Sequence, residues 1–349
     1  MAGAWPQKGA KSIRRRFLPQ PPPRPFASGA PLCVQYLRRG FFAVALAAFF
    51  PTVRGLKARI IYNPNSGFLS SHPALLARVR AWIAAHRPDI VIAPTEARHH
   101  ATELAHAARA EGCDLVMAFG GDGTMNEVAQ ALVGTATVLG IIPCGSGNGL
   151  ARHLRIPLEA TAALELLASG KPRVIDAGYA DGRPFFVISG LGFEAEIARR
   201  FNLLTRRGLP GYLATGARGW WSYLPQDCVI VQDGVRQARK VFTLAVANSS
   251  QYGNNARIAP RAVVDDGLLD LAAVPPVNLF NGPPLLARLF AGTLDRRADV
   301  LQLRGARFTV ERVAPGPLHT DGEVHEAGSS VEYTVRPRCL QVLVPAGQT

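Results

Sequence analysis

Apolar residues fall in two rhythms along this chain, and the rhythm changes near residue 172. In the first half, short apolar runs alternate with stretches of helical spacing. Residues 58–62 (ARIIY) read as a buried strand that ends in the turn cluster Asn63-Pro64-Asn65-Ser66-Gly67. Over 74–86 the apolar positions are 75, 76, 79, 82 and 83, one face of a helix. Residues 89–93 predict a second short strand, and the Ala-rich 99–110 a second helix. Residues 114–119 (DLVMAF) predict a third strand running straight into Gly120-Gly121-Asp122-Gly123-Thr124. Helical spacing returns over 125–132. A fourth strand at 137–142 leads into Pro143-Cys144-Gly145-Ser146-Gly147-Asn148-Gly149. Strand and helix in strict alternation imply a parallel sheet covered on both faces.

Beyond residue 172 the pattern predicts short strands at 173–179, 184–189, 228–232, 241–247, 269–274, 307–311 and 330–335, with helices at 193–204 and 285–294. These features predict a mainly antiparallel second domain. The expected fold class is thus an α/β N-terminal domain with a parallel sheet, followed by a mainly antiparallel β domain. The expected division is 57–150 for the first and 151–345 for the second. No tandem repeat of the usual solenoid length is present.

Composition adds one asymmetry. The 349 residues carry 39 Lys and Arg against 25 Asp and Glu, a formal net charge of +14. Ten of those basic residues and none of the acidic ones lie in residues 1–57, so the remainder is nearly balanced. The high charge belongs to the tail, and nucleic acid is not an expected partner of the body. Residues 1–56 are basic and Pro-rich, and a ten-residue apolar run at 41–50 is too short for an ordinary membrane span. Three readings of the tail stand: a membrane-surface anchor, a signal or span of unusual form, or a true start near Val53 or Leu56. Five cysteines without a CxxC pair argue against a disulfide framework or structural zinc and fit a reducing compartment.

The chemistry gathers in three glycine-rich turns that follow strand ends: NPNSG at 63–67, GGDGT at 120–124 and GSGNG at 145–149. In an open parallel sheet ligands bind beyond the carboxyl ends of the strands. Glycine admits close backbone approach to a phosphate, and a helix start supplies N–H groups. Asp122 between glycines makes sense beside phosphate if a Mg²⁺ is held there, and otherwise as a helix N-cap. There is no GxxxxGK[ST] loop, no HRD with DFG, and no GxGxxG after the first strand, which weighs against those nucleotide-binding classes.

GGDGTMNEV at 120–128 and PCGSGNGLAR at 143–152 resemble the diacylglycerol kinase catalytic domain family, which includes sphingosine and ceramide kinases and bacterial soluble lipid kinases. The likeness extends to NPNSG at 63–67, GLGFEAE at 190–196, GYL at 211–213, the 247–271 stretch and HTDGE at 319–323. It therefore covers nearly all of the body. The resemblance implies transfer of the γ-phosphoryl of ATP, with Mg²⁺, to the hydroxyl of a diacylglycerol-like or sphingoid lipid. It implies that Asn63, Ser66, Gly67, Thr95, Gly120, Gly121, Gly123, Thr124, Gly145, Ser146 and Asn148 line the nucleotide site. Asp122 would serve the Mg²⁺ or the acceptor hydroxyl, with Asn126 and Glu127 opening the helix behind it. Glu323 would be the general base. Asp266, with the carbonyls of Val263 and Leu268, matches a second, structural Mg²⁺ site. Glu196 matches a position that contacts substrate.

Two departures stand out. Gly149 replaces the Asp that bacterial diacylglycerol kinases often carry, which leans toward sphingosine-kinase-like sites. The run Tyr252-Gly253-Asn254-Asn255 is poorer in glycine than usual. With base and nucleotide loops on different domains, the site is expected in the cleft between them. Trp220, Trp221 and Tyr223 read as core packing or as a lid over an acyl chain. Arg199, Arg200, Arg206 and Arg207 read as a solvated face or a contact for lipid headgroups. The expected setting is cytoplasmic with peripheral membrane contact, where the lipid substrate lies; a homodimer stays open. Two other functions remain at this level: an NAD kinase-like phosphotransferase on a soluble nucleotide, and a non-catalytic module that binds nucleotide or lipid.

Overall fold

The computed structural model describes residues 55–202, 219 and 223–347. The tail to residue 54, the GYL stretch, Arg206, Arg207, Trp220 and Trp221 lie outside the described residues. The parallel sheet forms where the apolar runs predict it. Strands β1 (Ala58–Tyr62), β2 (Val91–Pro94), β3 (Leu115–Gly120) and β4 (Val138–Pro143) lie in the order β2-β1-β3-β4, all parallel. Every residue of β3 and β4 is buried, as befits strands covered on both faces. Five of the helices are α1 (Gly67–Ser71), α2 (Pro73–His86), α3 (His100–Ala110), α4 (Asp122–Leu132) and α5 (Gly149–His153). The α4 helix buries Met125, Val128, Ala129 and Leu132, its apolar stripe.

The second half is antiparallel, with more strands than the pattern predicts. Strands β5 (Gly170–Ala180) and β6 (Arg183–Phe185) precede β7 (Ile188–Gly192), and the helix Phe193–Asn202 follows as α8, after the short α6 (Ala160–Leu164) and α7 (Leu166–Ser169). Then come β8 (Gln226–Gln232), β9 (Val235–Val241), β10 (Thr243–Ala247) and β11 (Leu269–Val274). Helix α9 (Gly282–Ala291) leads to β12 (Leu301–Gly305), β13 (Arg307–Arg312), β14 (Gly316–Thr320), β15 (Glu323–Ala327) and β16 (Ser330–Pro345). Strands β12-β11-β10-β7-β14-β15 make one sheet. Its inner face packs on β8, β13 and β16 through Leu191, Leu244, Leu271, Leu318, Ile230, Phe308, Val310 and Tyr333, a sandwich core.

One strand ties the two halves together. The first half of β16 pairs with β13 through Val331 and Tyr333. Along both halves β16 also pairs with β5, with a register shift between Arg336 and Leu340, and in its second half Val342 meets Leu139 of β4 in parallel. The parallel sheet therefore continues into the second half as β4-β16-β13-β8-β9. Among the described residues, no helix is long and apolar enough to cross a membrane.

Candidate active site

Asn63, Gly120 and the turn after Pro143 all lie at the carboxyl edge of the parallel strands, because β1, β3 and β4 run in register. Thr95 joins them after β2: it is buried, and its N–H donates to Tyr62 O (2.8 Å). In the first loop Asn63 Oδ1 accepts from Asn65 N–H (2.9 Å), and Ser66 caps α1 by accepting from Leu69 N–H (3.4 Å). Gly67 opens that helix. Thr124 is buried in the first turn of α4.

Helix α4 begins at Asp122, three residues before the sequence pattern predicts, so Asp-Gly-Thr forms its first turn. No side chain caps it. Its N-terminal N–H groups face the loop edge with the positive end of the helix dipole. Asp122 faces the third loop instead of its own helix. Asn148 N–H donates to Asp122 Oδ2 (2.8 Å) and Gly149 N–H to Oδ1 (2.7 Å). Each oxygen keeps a free lone pair. Burial pushes the Asp122 carboxyl up to about 6, with the charge of Asp321 adding to the rise against the pull of the Gly149, Asn148 and Asp122 amides.

The glycines also let two of the loops pack closely on each other. A Cβ on Gly145 would come within 2.5 Å of Gly121 Cα, and one on Gly147 within 2.7 Å of Asp122 Oδ2. The second and third loops lie backbone to backbone, and their missing Cβ atoms make that contact possible. Gly123 alone of this group faces open space. A Cβ on Gly149 would meet Val187 Cγ1 at 2.8 Å and Tyr252 O at 3.0 Å, so an aspartate has no room here as the chain is packed. Asn148 engages its side chain within its own loop. In the left-handed conformation (φ 52°), it braces its own loop: Oδ1 accepts from Gly145 N–H (2.9 Å) and Nδ2 donates to Gly145 O (2.8 Å). Ser146 is exposed at the loop tip.

Across from these loops stands the β14–β15 hairpin. Thr320 pairs with Glu323, and the turn residues Asp321 (φ 49°) and Gly322 (φ 86°) both have positive φ, the type that Asp-Gly supplies. Asp321 was not among the expected site residues, yet it anchors the turn. Its carboxylate accepts from Phe186 N–H (2.8 Å), Val187 N–H (2.9 Å), Ile188 N–H (2.9 Å) and Asn126 Nδ2 (2.7 Å). Asn126 is one turn along α4 from Asp122. This bond pins the hairpin bearing Glu323 to the helix bearing Asp122. Glu323 itself sits at the rim, where Arg98 Nη2 donates to Oε1 (3.0 Å) and His99 Nε2 lies 3.8 Å away. Glu127 does support the helix behind the loop: its Oε2 accepts from Ala101 N–H (3.2 Å) at the start of α3. The signals for Asp321 and Asn126 were in the sequence, as the Asp-Gly turn and the four-residue spacing from Asp122.

Two further expected residues are paired with arginines. Glu196 is held on α8 by Arg199 (2.9 Å) and Arg200 (2.7 Å), with the Arg199 guanidinium keeping its carboxyl below the usual range. The buried acid on that helix is Glu194, which lies 3.3 Å from His319 Nε2 and accepts from the Tyr252 hydroxyl. His319 Nδ1 in turn accepts from Gly322 N–H (3.3 Å). The 263–268 loop does not fit a cation as it is packed. Asp266 Oδ2 is paired with Arg304 and Oδ1 accepts from Leu268 N–H (3.0 Å), while Val263 is exposed. A guanidinium already supplies the positive charge at that carboxylate. Among the described residues there is no cluster of three or more His, Cys, Asp and Glu side chains that could hold a metal ion. The Asp122 site is of another kind, since Mg²⁺ with a nucleotide commonly takes one or two carboxylates plus phosphate and water. Tyr223 is partly buried and packs edge-on against Phe193 and Phe242, with ring centroids 5.4 Å from each.

Residues 57–180 match the model for the diacylglycerol kinase catalytic domain, and 187–344 match the YegS C-terminal NAD kinase beta sandwich-like domain. A probable YegS-like lipid kinase of Pseudomonas aeruginosa is 31% identical over 277 residues, 77% of this chain and 90% of that protein. The chain belongs to the diacylglycerol kinase catalytic domain family. Another member, a diacylglycerol kinase of Bacillus subtilis, is 30% identical over 76% of this chain and 89% of its own. The fold agrees with that of a putative diacylglycerol kinase from Bacillus anthracis, with a TM-score of 0.70 at 21% identity, covering 84% of this chain and 97% of the other. The chain thus matches both the catalytic-domain model and the β-sandwich-like C-terminal model.

Proposed function

We propose that this member of the family is an ATP- and Mg²⁺-dependent lipid kinase acting on the hydroxyl of a diacylglycerol-like or sphingoid lipid. One observation carries the reading most directly. The Asn126–Asp321 bond holds the hairpin of Glu323 against the helix that starts at Asp122, which supports a site in which that acid and the glycine loops act together. Phosphoryl transfer needs alignment and charge neutralisation more than covalent help. The first-turn N–H groups of α4 and the loop backbones orient phosphate oxygens. Asp122, with a spare lone pair on each oxygen and Asp321 close by, favours a hard cation there. Bound Mg²⁺ would neutralise charge on the transferring phosphate. Glu323 takes the proton of the acceptor hydroxyl, a contribution of roughly 10²–10⁴ in rate. That hydroxyl has to compete with Arg98 for the carboxylate.

The test is incubation with labelled ATP, Mg²⁺ and a panel of lipids presenting a hydroxyl beside acyl chains, followed by thin-layer separation. Label in an organic-soluble product is expected, and the lipid that takes it names the substrate. Label in a soluble nucleotide would favour the NAD kinase-like activity. ATP binding without transfer would reduce the chain to a binding module.

A further inference from the structure

Helix α9 and the turn before it expose large apolar side chains that no part of the proposed chemistry uses. Leu279 is 59% exposed, Phe280 91%, Leu286 54% and Phe290 49%. Leu286 and Phe290 are four residues apart and share one face, while Leu285 on the other face is buried and seats the helix. The turn carrying Leu279 and Phe280 is built, not loose. Asn278 Oδ1 accepts from the N–H groups of Phe280 (2.9 Å) and Asn281 (3.0 Å), and Asn281 Oδ1 accepts from Asn278 N–H (2.7 Å). Two side-chain clamps thus hold a phenylalanine out into solvent. Ordinary single exposed leucines need no explanation, but four large apolar side chains exposed within residues 279–290 do.

Charge narrows the occupant. Residues 271–294 contain no Asp or Glu, and the rim carries Arg288 with the exposed Arg257 and Arg296. Apolar wedge, absent acids and a cationic rim together match the interface of an anionic bilayer. Position matters too. Arg257 N–H donates to Leu289 O (2.9 Å) on α9, and the same loop's Asn254 N–H donates to Gly147 O (3.3 Å) in the nucleotide cleft. The apolar face is one loop away from the phosphate-binding edge.

We infer that the 279–290 face inserts Phe280, Leu279, Leu286 and Phe290 into an anionic lipid surface, docking the crevice where its substrate lies. The inference deepens the lipid-kinase reading and rests on it for its purpose, though not for its measurement. In the full chain with Cys33→Ser, Leu279→Cys is labelled with a polarity-sensitive dye. Cys113, Cys144, Cys228 and Cys339 are buried and stay unlabelled. Vesicles of equimolar phosphatidylglycerol and phosphatidylcholine are then added. A blue shift at position 279, absent for the same dye on Val235→Cys in the β8–β9 hairpin, is expected. The double variant Phe280→Ser/Phe290→Ser should lose about tenfold or more of turnover on vesicle-embedded lipid. Its turnover of a short-chain, monomeric lipid should stay within about twofold of the parent. Equal shifts at 279 and 235, no shift at 279, or a shift that follows protein concentration without vesicles would overturn the docking face, the last in favour of a second copy of this chain. If no lipid is phosphorylated yet the dye still reports insertion, the kinase reading fails and the docking face stands.

Discussion

Asp122 accepts one backbone N–H on each carboxylate oxygen, and each such oxygen has a second lone pair for chemistry. Asp122→Ala and Glu323→Gln should each remove most turnover, by roughly 10² or more, with circular dichroism and gel filtration unchanged. Full activity in either variant would end that residue's assignment. A second residue tests the packing behind the site by pH. His153 accepts from Ser250 N–H (3.2 Å), and burial lowers its imidazole to about 4, with Arg173 adding to the drop. Its folded value lies below the unfolded 6.5, so its contribution is complete above pH 6.5 and is lost as pH falls toward 4. Urea melts of the parent against His153→Gln should show the parent losing up to about 3 kcal/mol more between those limits. Parallel curves would mean that the imidazole is not buried as a neutral group.

At the scale of elements, the glycine loops separate packing from ligand approach. Gly145→Ala puts a methyl 2.5 Å from Gly121 Cα and should cost about 1–3 kcal/mol in denaturant melts. Gly123→Ala meets nothing within 4 Å and sits in a helix first turn, so stability should hold or rise slightly. If α4 receives phosphate, that same methyl should raise KM for ATP severalfold; an unchanged KM would move the phosphates elsewhere. The elements themselves were legible unevenly. Strands β1, β3, β4 and β11 follow from continuous apolar runs, because strands buried on both faces leave that trace. Strands β9, β12, β14 and β15 escape it. Val235–Val241 reads VRQARKV, with its centre exposed, and Glu323–Ala327 reads EVHEA. Strands at a sheet edge, or half in solvent, carry too few apolar residues to announce themselves, and neighbours impose their conformation.

Across the whole molecule, Asp321 and β16 join what the chain order separates. Asp321→Ala would strip the partner from three backbone N–H groups and from Asn126. A loss of about 3 kcal/mol or more is expected in denaturant melts, together with loss of activity, since each buried donor left unpaired costs about 1–3 kcal/mol. A stability change under about 1 kcal/mol would show that these bonds do not anchor the hairpin. The sequence by itself determined the parallel strands, the three turns at their ends, and the resemblance that named Asp122 and Glu323. These are local: periodicity, glycine and short motifs are written in neighbouring residues. Only the tertiary structure decided that Asp321 is the anchor, that Asn148 braces its loop, that Arg304 occupies Asp266, and that the last strand extends the first sheet. Those outcomes depend on groups tens to hundreds of positions apart competing for the same hydrogen bonds and the same space, and no single stretch of chain contains that competition.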